Sequence, residues 1–303
     1  MSIDEGRSQP VIRNILEIVI YELQAAIATR RALMVIGLYL ASGVLGSVAY
    51  VASISKIEEK AIEGFIEQGA SAADAANAIS VIGDQAYEKI VSSFVGAPQE
   101  ALNPMLIDSP ILPVFLWASL IFLPLLILMT SFDHVVGDLN NRSICYQLLR
   151  VSRRETLLGK TLAQILLYAT ITFINAGCLL LLGISMLESI DVSLALPGLL
   201  LSWALLLPVG FCYLSITTFA STVAKQPFSA LVMTIFILFA LKIQGPLSTW
   251  LEIPFLEYMR PSHYETGLWL SSATSVLGSL AAYIGFGVFF LFLADRSLAG
   301  RDL

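Results

Sequence analysis

The chain has 303 residues, of which 57% are hydrophobic and only 13% are charged, and its mean hydropathy is +0.80. This composition excludes an ordinary soluble domain and is typical of a membrane protein. The formal net charge of −6 argues against a nucleic-acid partner, because nucleic-acid-binding surfaces are basic. We therefore expect most of the protein surface to contact membrane lipid, and we expect no nucleic-acid partner.

Long apolar stretches predict an all-α integral membrane protein with six transmembrane helices, since most of them exceed the roughly 20 residues that cross a bilayer. The predicted spans are residues 32–55, 109–132, 161–187, 194–222, 226–244 and 268–294. The remaining pieces are a cytoplasmic N-terminus (1–31), an outer segment (56–108), an inner loop (133–160), a second outer segment (245–265) and a cytoplasmic tail (295–303).

The cytoplasmic N-terminus carries an amphipathic pattern. Ile12, Leu16, Val19 and Ile27 recur at helical spacing, and polar residues such as Glu17 occupy the other face. This pattern predicts an interfacial helix that lies along the inner leaflet. A soluble amphipathic helix that packs on a partner is the alternative.

The outer segment 56–108 is too long for a simple loop and is rich in helix-forming residues. Apolar residues at helical spacing form two stripes, and Gly69 followed by Ser71 and Asp74 marks a turn between them. We predict an extracytoplasmic helical hairpin. Its stripes would bury each other or a dimer mate, and it could bind an extracytoplasmic protein partner.

The distribution of lysine and arginine predicts the orientation of the chain. If the N-terminus is cytoplasmic, twelve of the seventeen basic residues lie inside. The stretch 55–108 then lies outside, with nine acidic and three basic residues. Both termini are therefore expected in the cytoplasm.

The fifth predicted span is unusually short. Only 16 residues separate Lys225 from Lys242, which is about 24 Å of helix against a hydrocarbon core of roughly 30 Å. Gly245-Pro246 and Trp250 follow, so we predict that the helix breaks there and that 245–265 forms a re-entrant outer gate. Two interpretations of Lys242 stay open: its amine reaches up to lipid headgroups, or it faces the substrate path.

The sequence shows no catalytic constellation. His134 and His263 are predicted on opposite sides of the membrane, so they cannot share a metal ion. Asn175 lies near the middle of the third span, where it either forms interhelical hydrogen bonds or contacts a substrate. We expect no enzymatic activity, no bound cofactor and no metal in this chain.

The letters GKT at 159–161 match the end of a nucleotide-binding P-loop. That motif needs a second glycine five positions before the first of these letters, but position 154 is Arg. We therefore interpret the stretch as the point where the inner loop enters the membrane. Its basic residues are Arg150, Arg153, Arg154 and Lys160.

The inner loop resembles that of the ABC-2 type transporter permease family. In that family the second span is followed by an acidic residue, an amphipathic segment, a serine-arginine pair and a glycine-lysine that enters the third span. The matching residues here are Asp138, the segment 144–149, Ser152-Arg153, Glu155 and Gly159-Lys160. Arg150 departs from the family, which often has proline there, and Asn141-Arg142-Ser143 replaces a commoner glycine-threonine-leucine.

The resemblance implies a permease subunit of an ABC exporter in the bacterial cytoplasmic (inner) membrane, with a homodimer or a similar permease mate forming the translocation path. It implies a separate cytoplasmic ABC ATPase that binds ATP and Mg²⁺ and docks on the inner loop. The coupling residues would be Asp138, Arg142, Arg150, Ser152, Arg153, Arg154, Glu155 and Lys160. The candidates for the substrate path or gate are Asn175, Lys242, Gly245, Pro246 and Trp250. The alternative is a membrane scaffold or signalling protein that acts through its outer hairpin without transport.

Overall fold

The computed structural model describes residues 5–28, 33–46, 48, 91–92, 95–107, 111–141, 147–186, 192–253 and 255–301. Most of the predicted outer hairpin and the coupling candidate Arg142 lie outside the described residues. Within the described residues the secondary structure is helical, apart from one isolated antiparallel bridge between Leu102 and Leu270.

The main described helices are, in chain order, α1 (Glu5–Ala28), α2 (Leu33–Gly46), α3 (Ile111–Ser131), α4 (Val136–Asn140), α5 (Arg153–Met186), α6 (Val192–Val223), α7 (Pro227–Leu251) and α8 (Ala273–Ala299). Shorter helical turns occupy Gln99–Ala101, Pro104–Ile107, Phe255–Tyr258, Pro261–Tyr264 and Thr266–Trp269.

Five of these helices, α3 and α5 to α8, have the length and apolar composition to cross a membrane. They confirm the predicted all-α class and a multi-pass membrane protein. The described part of α2 is shorter, so the sixth span stays a prediction.

Helix α7 differs from its prediction, because it continues through Gly245 and Pro246 to Leu251. The predicted break at Gly245-Pro246 is therefore wrong. A proline inside a helix removes one backbone hydrogen bond without having to end the helix. The hydroxyl of Ser248 donates to the Gly245 carbonyl oxygen at 2.7 Å. The helix ends where Glu252 adopts a left-handed conformation with φ 55° and donates its N–H to the Ser248 carbonyl.

Two other helices extend beyond the predicted spans. Helix α5 begins at Arg153 and has 34 residues, so it is about 51 Å long and exceeds the hydrocarbon core. Its first turns contain residues 153–160, which the sequence placed in the inner loop. Helix α8 runs to Ala299, five residues past the predicted end of the last span.

Helix α6 lies at the centre of the described bundle, where it packs against α3, α5 and α8. Gly210 of α6 permits the close approach of α5, since a Cβ there would lie 2.6 Å from Cε2 of Tyr168. The hydroxyl of Tyr168 then donates to the Leu207 carbonyl at 2.5 Å. Helix α1 packs along the first turns of α5.

The two ends of the bundle differ in what holds them. We call one end the Lys160 end; α5 begins there, and α3, α6 and α8 end there. We call the opposite end the Glu265 end. At that end the segment before α3 forms backbone hydrogen bonds with the segment before α8. The Asn103 N–H donates to the Trp269 carbonyl and the Ser271 N–H donates to the Ala101 carbonyl, both at 2.8 Å.

Candidate functional site

A buried ion cluster joins three helices at the Lys160 end. The Lys160 ammonium is only 2% exposed, and it contacts the Asp138 carboxylate of α4 at 2.5 Å and also pairs with the Glu22 carboxylate of α1. An unpaired charge would be costly at such a position, so the two carboxylates explain why a lysine is tolerated there. We call Glu22, Asp138 and Lys160 the Lys160 junction.

The residue before Lys160 sets the distance between α1 and α5. A Cβ at Gly159 would lie 2.8 Å from Cγ2 and 2.9 Å from Cβ of Ile18, so the glycine allows α1 to lie directly on α5. The same approach brings the Glu22 carboxylate to Lys160, so the glycine and the lysine both take part in this helix contact. The letters GKT therefore form a packing site between two helices.

The first turn of α5 is capped by its own side chains. The Glu155 N–H donates to the Ser152 hydroxyl, and the Ser152 N–H donates to the Glu155 carboxylate, both at 3.2 Å. This arrangement is a capping box. Its sequence signal is the spacing Ser-x-x-Glu, which the sequence analysis missed. The Asn14 amide of α1 also donates to the Glu155 carboxylate, at 3.3 Å.

Arg153 ties the start of α5 to the end of α8. Its Nη1 donates to the carbonyl oxygens of Leu298 at 3.0 Å, Ala299 at 2.9 Å and Arg301 at 3.0 Å. Carbonyls at the end of a helix lack partners within it, so a cation there satisfies them and interacts favourably with the helix dipole. Sequence reasoning found the arginine but had no means of identifying these acceptors.

Arg301 continues the same arrangement to the end of α6. Its Nη2 donates to the carbonyl oxygens of Val223 at 2.6 Å and Ala224 at 2.5 Å. Two arginines therefore link α5 to α8 and α8 to α6 at the Lys160 end.

A second polar cluster lies where α3 ends. His134 is 9% exposed, and its ring contacts the Ser131 carbonyl and, at 3.3 Å, the Thr218 hydroxyl. The Ser221 hydroxyl accepts hydrogen bonds from the N–H groups of Val135 at 3.3 Å and Val136 at 3.0 Å. These contacts fix the turn that leads from α3 to α4, and hence the position of Asp138.

Some predicted coupling residues face outward. Arg150 is exposed, and the side chain of Arg154 is 81% exposed while its Nε lies 3.2 Å from the Asp295 carboxylate. Leu149, beside Arg150, is 82% exposed. Lys160, in contrast, is buried within the chain. The sequence analysis named it as a coupling residue, but its side chain does not face outward, as a direct contact with an ATPase would require.

Asn175 lies inside the bundle. It is 3% exposed, and its amide is so close to Gly43 of α2 that no Cβ would fit there. Its Oδ1 has no hydrogen-bond partner among the described residues. The position favours a role in packing α2 against α5 over contact with a substrate.

The other path or gate candidates all lie on α7, toward the Glu265 end. Lys242 and Pro246 are exposed, Trp250 is 80% exposed, and Gly245 is buried against the Arg260 guanidinium. Lys242 lines a cavity between α3, α6, α7 and the connection to α8. No group of three or more metal-ligating side chains occurs among the described residues.

Comparison with known proteins identifies a family that the chain matches. A family model described as ABC-2 family transporter protein matches residues 16–263 of the chain, which is well over half of it. The matched region contains the Lys160 junction, α7 and most of the residues that line the cavity beside Lys242, but it ends before Glu265. No match was found among curated proteins.

Proposed function

Because this chain belongs to the ABC-2 family of transporter proteins, we propose that it is the permease subunit of an ATP-binding cassette exporter and forms the translocation path as a dimer. ATP and Mg²⁺ bind to a separate ABC ATPase, and the chain itself is a non-enzymatic transport subunit. The complex lies in the bacterial cytoplasmic (inner) membrane with both termini of this chain in the cytoplasm. The Lys160 end is then the cytoplasmic end.

One exposed surface supports a contact with the ATPase. We call Leu149, Arg150 and Arg154 the docking surface, because all three are exposed and close in sequence. An exposed leucine beside two guanidinium groups has the composition of a protein interface, where an apolar centre is surrounded by polar groups and arginine is enriched. The pair of Arg154 with Asp295 does not oppose this role, since exposed ion pairs contribute little to stability.

The docking surface adjoins a firmly anchored helix start. Its neighbour Arg153 binds the end of α8, and Lys160, two turns further along α5, binds α1 and α4. A displacement of the loop by the ATPase would therefore move α5, α1 and α8 together. We assign coupling through the interior to Lys160, Asp138 and Arg153, and direct contact with the ATPase to Leu149, Arg150 and Arg154.

The dimer proposal rests on α7 and α8, which bury little of their surface within the chain. Large apolar side chains on both are exposed: Phe236 and Phe239 on α7, and Phe289 and Phe292 on α8. A second copy or a similar permease would cover part of these faces by a twofold arrangement, and lipid would cover the rest. The gate then lies at the Glu265 end of α7, around Gly245, Pro246 and Trp250.

The test is recovery of the ATPase with the permease. Affinity purification of the tagged chain from its native membranes should recover a P-loop ATPase, and combined Arg150→Glu and Arg154→Glu should remove it. Lys225→Glu is the matched control, because Lys225 is also exposed at the Lys160 end but lies between α6 and α7. Retention of the ATPase by the double variant with unchanged ATP turnover would contradict the docking surface. Failure of the unmodified chain to recover any ATPase would contradict the proposed function.

A further inference from the structure

A cavity at the Glu265 end combines apolar walls with one basic and one acidic side chain. Its volume is about 190 Å³, and it lies between α3, α6, α7 and the connection from α7 to α8. Leu120 and Leu238 contribute to its apolar lining, and Tyr213, Lys242 and Glu265 contribute polar groups. One water needs roughly 10–15 Å³ of such space, so the cavity has room for a ligand group of several non-hydrogen atoms.

The two charged side chains of the cavity are not in direct contact. Neither an ion pair within 4.0 Å nor a hydrogen bond joins Lys242 to Glu265 in the described part of the chain. They are nevertheless close enough that Lys242 acts on the Glu265 carboxyl electrostatically. Burial raises the pKa of Glu265 above its usual range, and the positive charges of Lys242 and Arg260 offset only part of this rise. The cavity therefore presents one basic and one acidic side chain that are not bonded to each other.

The nearby Arg260 contacts other groups, although its Nε has no hydrogen-bond partner among the described residues. The Nη2 of Arg260 lies 3.7 Å from the Glu257 carboxylate, which also meets the His263 ring at 3.3 Å. The guanidinium packs against Gly245, where a side chain would collide with it. Arg260 is not among the residues that line the cavity, so Lys242 and Glu265 are the charges that a ligand there would meet.

Tyrosine hydroxyls provide a second polar observation. Behind Tyr213, the side chain of Tyr283 in α8 is fully buried, and its hydroxyl has no hydrogen-bond partner among the described residues. Tyr283 lies within electrostatic range of Tyr213 and Glu265. Buried hydroxyls in folded proteins are nearly always hydrogen-bonded. Tyr283 does not itself line the cavity, so it adds a polar group behind Tyr213 and no direct ligand contact.

The surroundings of the cavity determine which kind of ligand fits. Ile121 lines the cavity and is 51% exposed, so the cavity opens onto an apolar side chain. Phe239 of α7, close in sequence to the lining residues Leu238 and Leu241, is 63% exposed. A purely anionic headgroup would face Glu265 and a purely cationic one would face Lys242, each at a cost in free energy. A headgroup that carries both charges satisfies both side chains.

We propose that this cavity binds the headgroup of a zwitterionic phospholipid, with its ammonium at Glu265, its phosphate at Lys242 and its acyl chains along the apolar surface of α7. The bilayer is the source of this ligand. The site is independent of the proposed export function, because binding of the lipid requires neither ATP nor an ATPase.

The experiment counts lipids on the purified full-length chain by native mass spectrometry in a mild detergent. We expect phosphatidylethanolamine to bind at least about tenfold more tightly than phosphatidylglycerol with the same acyl chains, given the strength of charge-assisted hydrogen bonds. Glu265→Gln should remove this preference, and Lys242→Gln should weaken both lipids. Glu252→Gln and Lys225→Gln are matched controls, since both residues are exposed and neither lines the cavity.

Three outcomes would overturn the proposal. Equal affinity of the unmodified chain for the two lipids is the first, and an unchanged preference in Glu265→Gln is the second. The third is binding of soluble phosphoethanolamine as tightly as the lipid, because the ligand would then come from solution and not from the bilayer. Lys242 is exposed, so Lys242→Gln should fold normally. The proposal can therefore still be tested with this variant if Glu265→Gln does not fold. Preserved binding of both lipids in Lys242→Gln would likewise contradict the site.

Discussion

Arg153 and Leu298 are 145 positions apart, yet Nη1 of Arg153 donates a hydrogen bond to the Leu298 carbonyl oxygen at 3.0 Å. The contact joins the first turn of α5 to the last turn of α8. This contact and the Lys160 junction both lie at the Lys160 end. Buried or half-buried charged side chains therefore connect the helix termini there.

Loss of the Arg153 contacts should loosen the end of α8. In Arg153→Gln the shorter amide cannot reach the three carbonyls, so amide hydrogen exchange in residues 296–301 should accelerate on the order of tenfold. Hydrogen-exchange mass spectrometry measures this rate. Arg150→Gln is the control, because Arg150 is exposed and is not among the residues that contact the end of α8, and it should leave exchange unchanged. Equal rates in the two variants would show that Arg153 does not anchor α8.

Removal of the Lys160 charge should destabilise the bundle. Lys160→Met leaves the carboxylates of Glu22 and Asp138 without their cation, which costs roughly 3–5 kcal/mol for a buried pair. The thermal midpoint in detergent should fall, whereas Lys225→Met, at an exposed position, should leave it nearly unchanged.

A triple variant separates charge from packing at the same site. Glu22→Leu, Asp138→Leu and Lys160→Met together remove every charge of the junction, and an apolar replacement of a buried ion cluster is often neutral or stabilising. Most of the stability lost in Lys160→Met should therefore return. A triple variant as unstable as the single one would show that shape, and not unpaired charge, accounts for the loss.

Enlargement of Gly159 should push α1 away from α5. The added Cβ of Gly159→Ala would lie 2.8–2.9 Å from two atoms of Ile18, and such overpacking typically costs about 1–3 kcal/mol. Ile18→Ala in the same chain removes the Cγ2 atom and should restore part of this stability. Thermal unfolding of the two single variants and the double variant measures the coupling. Strictly additive losses would contradict direct contact between Gly159 and Ile18.

The orientation can be tested with two exposed residues at opposite ends. Leu149→Cys and Trp250→Cys, in a background without the native cysteines, place thiols at positions that are 82% and 80% exposed. In intact cells an impermeant maleimide should label position 250 and should label position 149 only after the membrane is disrupted. Labelling in the reverse order would place the Lys160 end outside the cell.

The sequence predicted the helical membrane class because apolar runs report directly on spanning length, as the five long helices show. It could not predict the partners of Lys160. Glu22 lies 138 positions earlier, and only the packing of α1 on α5 brings it to the lysine. The sequence analysis therefore assigned Lys160 to contact with an ATPase, whereas in the structure it pairs with two carboxylates of its own chain.

The course of α7 was mispredicted for a related reason. Gly245-Pro246 is a strong local signal for a break, but helix continuation depends on compensating contacts that local patterns do not contain. Here Ser248 bonds the Gly245 carbonyl, and Arg260 fills the space beside the glycine. Likewise the cavity beside Lys242 needs Glu265, which follows in a separate turn that the sequence analysis did not consider for a site.

The most direct test of the account is a photo-crosslink from the docking surface. A photoreactive amino acid at Leu149, which is 82% exposed, should capture the nucleotide-binding ATPase in native membranes, and the same probe at Trp250 should not. We predict one crosslinked product that contains the permease and the ATPase, formed only from position 149. A complex that copurifies but crosslinks from neither position, or from position 250 alone, would contradict docking of the ATPase at the Lys160 end.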